Sequence, residues 1–124
     1  YGKAQAGNYT IDGGNIAGRC IQLFDIRQQG WYSTTILNVF AESIGRIGNI
    51  TSQIPVSVNN CTFHFAYPSR AGKQILLNAN TEKIVFANCI FRYYGLPDAM
   101  IFNSAATFFN CQFSGPVIRN DRAK

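Results

Sequence analysis

The apolar positions of this chain fall into short alternating runs. Val56, Ser57 and Val58 alternate, and Cys61, Thr62, Phe63, His64 and Phe65 do so again, which is the period of a half-buried strand. Equivalent runs recur in "IVFANCIFRY" and "TFFNCQFSG". Each run is preceded by a second short apolar stretch, "IGNIT" at 47–51, "QILLNA" at 74–79 and "MIFNS" at 100–104. The final "GPVIRN" at 115–120 resembles the same opening stretch once more. "TILNVFAESIGRIG" has a spacing that a short helix would also satisfy, but its Val, Ile, Thr and Phe favour strand. The first 35 residues fit the pattern less well. They hold strand–turn–strand pieces, with a turn at Asp12-Gly13-Gly14 and a further alternating run from Cys20. The whole pattern predicts an all-β chain of short strands.

Within it one signature is written three times, as "NCTF" from Asn60, "NCIF" from Asn88 and "NCQF" from Asn110. Cys61 and Cys89 are 28 residues apart, and Cys89 and Cys111 are 22 apart, so the repeat is loose. Val58, Phe86 and Phe108 stand three residues before each cysteine, with Val56, Ile84 and Ala106 two earlier. Ile47 precedes Cys61 by 14 residues and Ile75 precedes Cys89 by the same 14, which predicts that the opening strands keep the same register.

Units of this size cannot bury their apolar faces alone and must stack on their neighbours. Parallel stacking at about 4.8 Å places like residues in columns. Asparagine suits the bend between two strands because it tolerates the left-handed backbone and can hydrogen-bond its neighbours in a column. Cysteine then serves as a small buried apolar residue, and phenylalanine fills the interior two positions on. Thr62, Ile90 and Gln112 fall between them, point outward and are free to vary.

Three accounts of the cysteines compete. Ligand-like pairs such as Cys-x-x-Cys are missing and His64 is the single histidine, which argues against a metal. Disulfides between neighbouring layers stay open on geometry. A core already rich in apolar residues favours reduced, stacked thiols. No phosphate loop or cofactor fingerprint is present, so no cofactor is expected.

Of the 124 residues 47% are hydrophobic and the net charge is +5, which excludes a disordered chain. The basic residues are scattered, apart from Arg119, Arg122 and Lys124, and read first as a solvated surface. No nucleic-acid-binding motif accompanies them, and anionic polysaccharide is an equally suitable partner. No apolar run reaches the roughly 20 residues of a membrane-spanning helix, so membrane insertion is not expected. A start at Tyr1 is expected of a processed product or of an excerpt from a longer chain.

The repeated F-x-N-C-x-F strands, the asparagine column and the opening "YTIDGGNIAG" resemble right-handed parallel β-helix proteins of the pectin-lyase-like superfamily. These include polysaccharide-degrading enzymes and bacteriophage tailspikes. The similarity covers residues 8 to 120, and its motifs specify a coil rather than an activity. It implies one domain over residues 1–124, a single-stranded right-handed parallel β-helix of about five coils, expected to be part of a longer chain. It further implies a tailspike module in the virion tail or another extracellular setting. Such a module would be a homotrimer beside other virion proteins and would bind bacterial surface polysaccharide. A fragment of a polysaccharide lyase or glycoside hydrolase is the alternative, and a purely structural or capsid-decorating β-helix is a third.

For hydrolysis the best carboxylate pair is Asp25 with Glu42, each following an apolar strand, since hydrolysis needs two such groups about 5 to 9.5 Å apart. Asp12, Glu82 and Asp121 fall in turns or the tail. A lyase needs a base and a neutralising cation instead. "FRYYGLPD" offers Arg92, Tyr93, Tyr94 and Asp98 for that or for gripping sugar, as "GWYS" offers Trp31 and Tyr32 and "FAYPSR" offers Tyr67 and Arg70. The plainer reading of these aromatics is packing, inward or against another subunit.

Overall fold

In the computed structural model the residues described are 9–16, 20–28, 33–52, 54–65, 75–93, 100–114 and 117–119. Among them there are twelve strands and no helix. The chain runs through β1 (Tyr9–Ile16), β2 (Cys20–Gln28) and the long β3 (Thr34–Ser52). There follow β4 (Val56–Asn59), β5 (Thr62–Phe65), β6 (Ile75–Ala79), β7 (Ile84–Ala87), β8 (Ile90–Tyr93) and β9 (Met100–Ser104). The last three are β10 (Thr107–Phe109), β11 (Gln112–Ser114) and β12 (Val117–Arg119). They form one sheet with parallel pairing throughout, curled into a half-barrel.

The stretch that could have been a helix is β3, and it organises the sheet. On one side it carries β1 along Thr34–Ala41 and β2 along Ile44–Ser52. On the other it carries β4 along Thr34–Leu37, β5 along Phe40–Ile44 and β6 along Gly48–Ile50. The next pass repeats the arrangement, with β7 on β4, β8 on β5 and β9 on β6. A further pass lays β10 on β7, β11 on β8 and β12 on β9. The terminal "VIR" is thus the expected further opening strand.

The three signatures stack as the spacing predicts: Phe63 lies opposite Phe91, and Phe91 opposite Phe113. Val58, Phe86 and Phe108 form the neighbouring column. Phe91 and Phe113 stack with centroids 4.8 Å apart and planes 7° from parallel, and Phe63 and Phe91 with 5.4 Å and 22°. Phe63, Phe86, Phe91 and Phe102 are fully buried, and a continuous core surrounds them. Burying each such ring stabilises the fold by about 1.5–3 kcal/mol.

Two further layers of the same unit were hidden in the sequence. Register places Ala41 opposite Phe63 and Ile16 opposite Ala41, so "NVFA" from Asn38 is a copy in which Val39 and Ala41 replace Cys and Phe. One layer earlier "GGNI" is the counterpart, with Gly13 at φ 83° where later layers hold asparagine. The expected turn at Asp12-Gly13-Gly14 is this bend, inside β1. Cys20 stands outside the column, opposite Ile44.

The opening strands depart from the predicted register by one residue. Gly48 lies opposite Leu77 and Asn49 opposite Asn78, while Ile75 lies opposite Ile101. The run Ile75-Leu76-Leu77 presents three apolar residues in a row, so apolarity alone did not distinguish the two alignments.

Candidate functional site

Two columns of asparagine arise from this stacking. The first stands at the bend: Asn38, Asn60, Asn88 and Asn110 have φ of 57°, 55°, 55° and 51°. This is the left-handed region, where most side chains are strained and asparagine is tolerated. Asn60 donates its side-chain N–H to Asn38 Oδ1 at 2.8 Å, and Asn110 donates to Asn88 Oδ1 at 2.7 Å. Asn88 reaches instead to Asn59 Oδ1 at 3.1 Å. At the head of the column Asn38 donates to the Asp12 carboxylate at 2.9 Å. The backbone stays paired through the bend, as in the bond from Asn60 N–H to Ala87 O at 3.0 Å.

Behind Asn60, Asn88 and Asn110 sits a thiol, and behind Asn38 sits Val39. Cys61, Cys89 and Cys111 are free, the first two buried and the third half-buried. The single S–H of Cys89 has two carbonyls within reach, Ala87 O at 3.3 Å and Val58 O at 3.5 Å, and the Cys111 sulfur lies 3.3 Å from Phe86 O. Sharing its proton with Cys111 and Cys61, and being buried, pushes Cys89 well above the ordinary thiol range. The same contact with Cys89 holds Cys111 down at about 7. Among the described residues no group of three His, Cys, Asp or Glu could hold a metal ion.

The second column had no counterpart in the sequence reading. Asn49, Asn78 and Asn103 lie opposite one another in β3, β6 and β9. Asn78 donates to Asn49 Oδ1 at 2.9 Å, and Asn103 donates to Asn78 Oδ1 at 3.0 Å. Arg46 Nη2 donates to Asn49 Oδ1 at 3.0 Å, so that oxygen accepts two bonds. These asparagines line a groove of about 440 Å³ together with Ile50, Thr51, Ala79 and Asn80. The volume is that of a small-molecule or oligomer subsite. The signal was present in "GNI", "LNA" and "FNS", which share an asparagine before or within the apolar run.

The predicted site residues distribute as follows. Asp25 lies in β2 opposite Asn49. Glu42 lies seven residues before Asn49 in β3 and is exposed, so register does not set the two carboxylates side by side. Arg92 is exposed in β8, and Tyr93 ends the same strand. Trp31, Tyr32, Tyr94 and Asp98 lie outside the described residues, as do Tyr67 and Arg70.

Glu42 and Arg92 both act electrostatically on a residue that the sequence left without a role. His64 lies opposite Arg92 and is 8% exposed, although alternation assigns it to the outer face. The ring of Phe40 meets it edge-on at 5.0 Å, itself 37% exposed. Burial lowers the His64 pKa below the ordinary 6.5 and the Arg92 charge lowers it further, while Glu42 acts in the opposite sense.

Comparison with protein-family models, with curated proteins and with solved structures found no match to this chain.

Proposed function

We propose that the stacked layers are about five coils of a right-handed parallel β-helix and that the molecule engages bacterial surface polysaccharide along its outer groove. The observation that carries this reading is the groove itself, a polar channel crossing three stacked strands and lined by Asn49, Asn78, Asn103, Asn80 and Thr51. Amides and a hydroxyl suit sugar hydroxyl groups, and a groove that runs across layers suits a chain rather than a compact metabolite. Together with the resemblance of the F-x-N-C-x-F strands to tailspike coils, this supports a module of a homotrimeric virion spike.

Glycan binding is tested by titrating the protein with capsular and O-antigen polysaccharides by calorimetry. Saturable binding that Asn103→Ala weakens is the expected outcome, and no binding to any of them sinks the reading. Light scattering is expected to return the mass of three chains; a clean monomer rejects the trimer.

Cleavage is the second reading, favoured by the opposing electrostatic influence of Glu42 and Arg92 on His64. A lyase needs a base and a cation that neutralises the developing charge. Incubation with the same polysaccharides should then release shorter chains, and Glu42→Gln should abolish the release. If Asp25→Asn and Glu42→Gln both leave cleavage intact, the carboxylates have no part in it.

A further inference from the structure

The three column thiols are graded in exposure. Cys61 and Cys89 are buried at 1% and 0% exposure, whereas Cys111 is half-buried. An oxidant arriving from solvent therefore meets Cys111 first. Cys89 occupies the same position one layer further in. Asn88 N–H donates to Phe109 O at 3.0 Å and Gln112 N–H donates to Cys89 O at 2.9 Å, so backbone pairing brackets the two cysteines on both sides. Such pairing sets their α-carbons about 4.8 Å apart, inside the roughly 4.4–6.8 Å that a disulfide spans. The sulfurs are also close enough to shift each other's titration, Cys111 down to about 7 and Cys89 upward.

Cys61 is layered on Cys89 in the same way, through the bond from Ile90 N–H to Cys61 O at 2.9 Å. Register alone thus leaves Cys89 two partners, and exposure selects between them. An accessible thiol backed by a second thiol is the arrangement of a redox-sensing pair.

We infer that Cys111 is a site of reversible oxidation by peroxides and that Cys89 resolves it, closing a disulfide between the last two Asn-Cys-x-Phe layers. The Cys111 thiolate attacks one peroxide oxygen, the O–O bond breaks, and the departing hydroxide takes up a proton as water. Cys111 is left as a sulfenic acid. Its negative charge is then gone, and with it the main influence that held the proton on Cys89. The Cys89 sulfur displaces the hydroxyl: the S–S bond forms, the S–O bond breaks, and a second water leaves with the Cys89 proton. Two thiols lose two electrons in all and one peroxide gains them. In a parallel column the β-carbons also stand near the layer spacing, beyond the roughly 3.5–4.5 Å of a relaxed bridge. The disulfide is therefore strained and readily reduced. It ties β10 and β11, the end strands of the sheet path, to the layer of β7 and β8.

The experiment treats the reduced protein with one equivalent of hydrogen peroxide at pH 7, alkylates it in denaturant and cleaves it with trypsin without reduction. Cleavage after Arg92 separates Cys89 from Cys111, so a bridge joins two peptides in the mass spectrum. The expected product carries that bridge, with Cys20 and Cys61 alkylated, and reduced glutathione reopens it. Cys61→Ala should bridge at the parental rate. Cys111→Ser should slow oxidation of Cys61 and Cys89 at least about tenfold, since both are buried. Cys89→Ala should stop at a Cys111 sulfenic acid that dimedone captures. Hydrogen exchange in β10 and β11 should slow at least about tenfold once the bridge closes. A bridge from Cys61 to Cys89, a bridge through Cys20, or sulfinic acid at Cys111 without any bridge overturns the inference. The parental peptide map decides this even where a variant fails to fold.

Discussion

At Asn38, Asn60, Asn88 and Asn110 the asparagine turns the backbone, and its side chain then ties one bend to another. At Asn49, Asn78 and Asn103 the backbone continues as strand, and only the side chain is special. The two columns have similar amide-to-amide bonds, from 2.7 to 3.1 Å in the first and 2.9 to 3.0 Å in the second. What differs is the conformation beneath them and the space in front of them. The first is selected by φ, so glycine is its natural substitute, as Gly13 shows. The second is selected by what the amide meets, so no backbone argument demands asparagine there.

The comparison breaks most visibly at Asn88. Asn88→Ala forces a β-carbon into the left-handed region at about 1–2 kcal/mol and removes two amide bonds at about 1 kcal/mol each. Urea denaturation should show a loss of about 3 kcal/mol. Asn88→Gly, which relieves the strain, should be milder than Asn88→Ala. At Asn78 the order should reverse. Asn78→Ala loses about 2 kcal/mol of amide bonding, and Asn78→Gly is worse by about 0.5–1 kcal/mol because glycine weakens a strand. The same ranking of alanine and glycine at both sites would mean that the columns are physically alike.

A subtler difference lies behind the bends. Iodoacetamide at pH 7 should label Cys111 first, since it is half-buried and its pKa is held at about 7, and leave Cys61 and Cys89 unlabelled until the protein unfolds. Mass spectrometry of the labelled peptides reads the order directly. Simultaneous labelling of all three would mean that the column opens as a unit.

The smallest expected effect lies outside both columns. His64 is held neutral by burial and by Arg92, so its folded pKa lies below the unfolded 6.5. As pH falls through 6.5 the unfolded chain takes up a proton that the folded chain does not, and stability declines. His64→Gln should lose less in melting temperature between pH 7.5 and pH 5.5 than the parent does. An identical loss would remove His64 from the pH response.

Much of the architecture was legible because stacking repeats chemistry. Asn-Cys-x-Phe recurs where a bend, a small buried residue and an interior ring recur, and alternation assigned Thr62, Ile90 and Gln112 to the outer face. The copies at Asn38 and Gly13 escaped notice because the same physical demands accept other residues. Val39 is as suitable as cysteine, and glycine turns as readily as asparagine. The groove column escaped for the converse reason. Asn49, Asn78 and Asn103 sit 29 and 25 residues apart among interchangeable Ile, Leu and Phe, and the apolar run around Ile75 suggested a register one residue away. His64 was invisible in a different way, since alternation does not show that Phe40 packs on an outward position.

Successive bend asparagines are separated by 22, 28 and 22 residues, yet Ala41, Phe63, Phe91 and Phe113 stay in one column. Contour length is thus a free variable of each layer, provided that any change falls between the columns. For an evolving or engineered lineage, length is free to change wherever the change leaves the stacked columns in register. A single-residue deletion inside Asn88–Phe91 would instead turn every inward side chain of that strand outward. Insertions sorted by address would therefore divide sharply into silent and lethal, with few of intermediate severity.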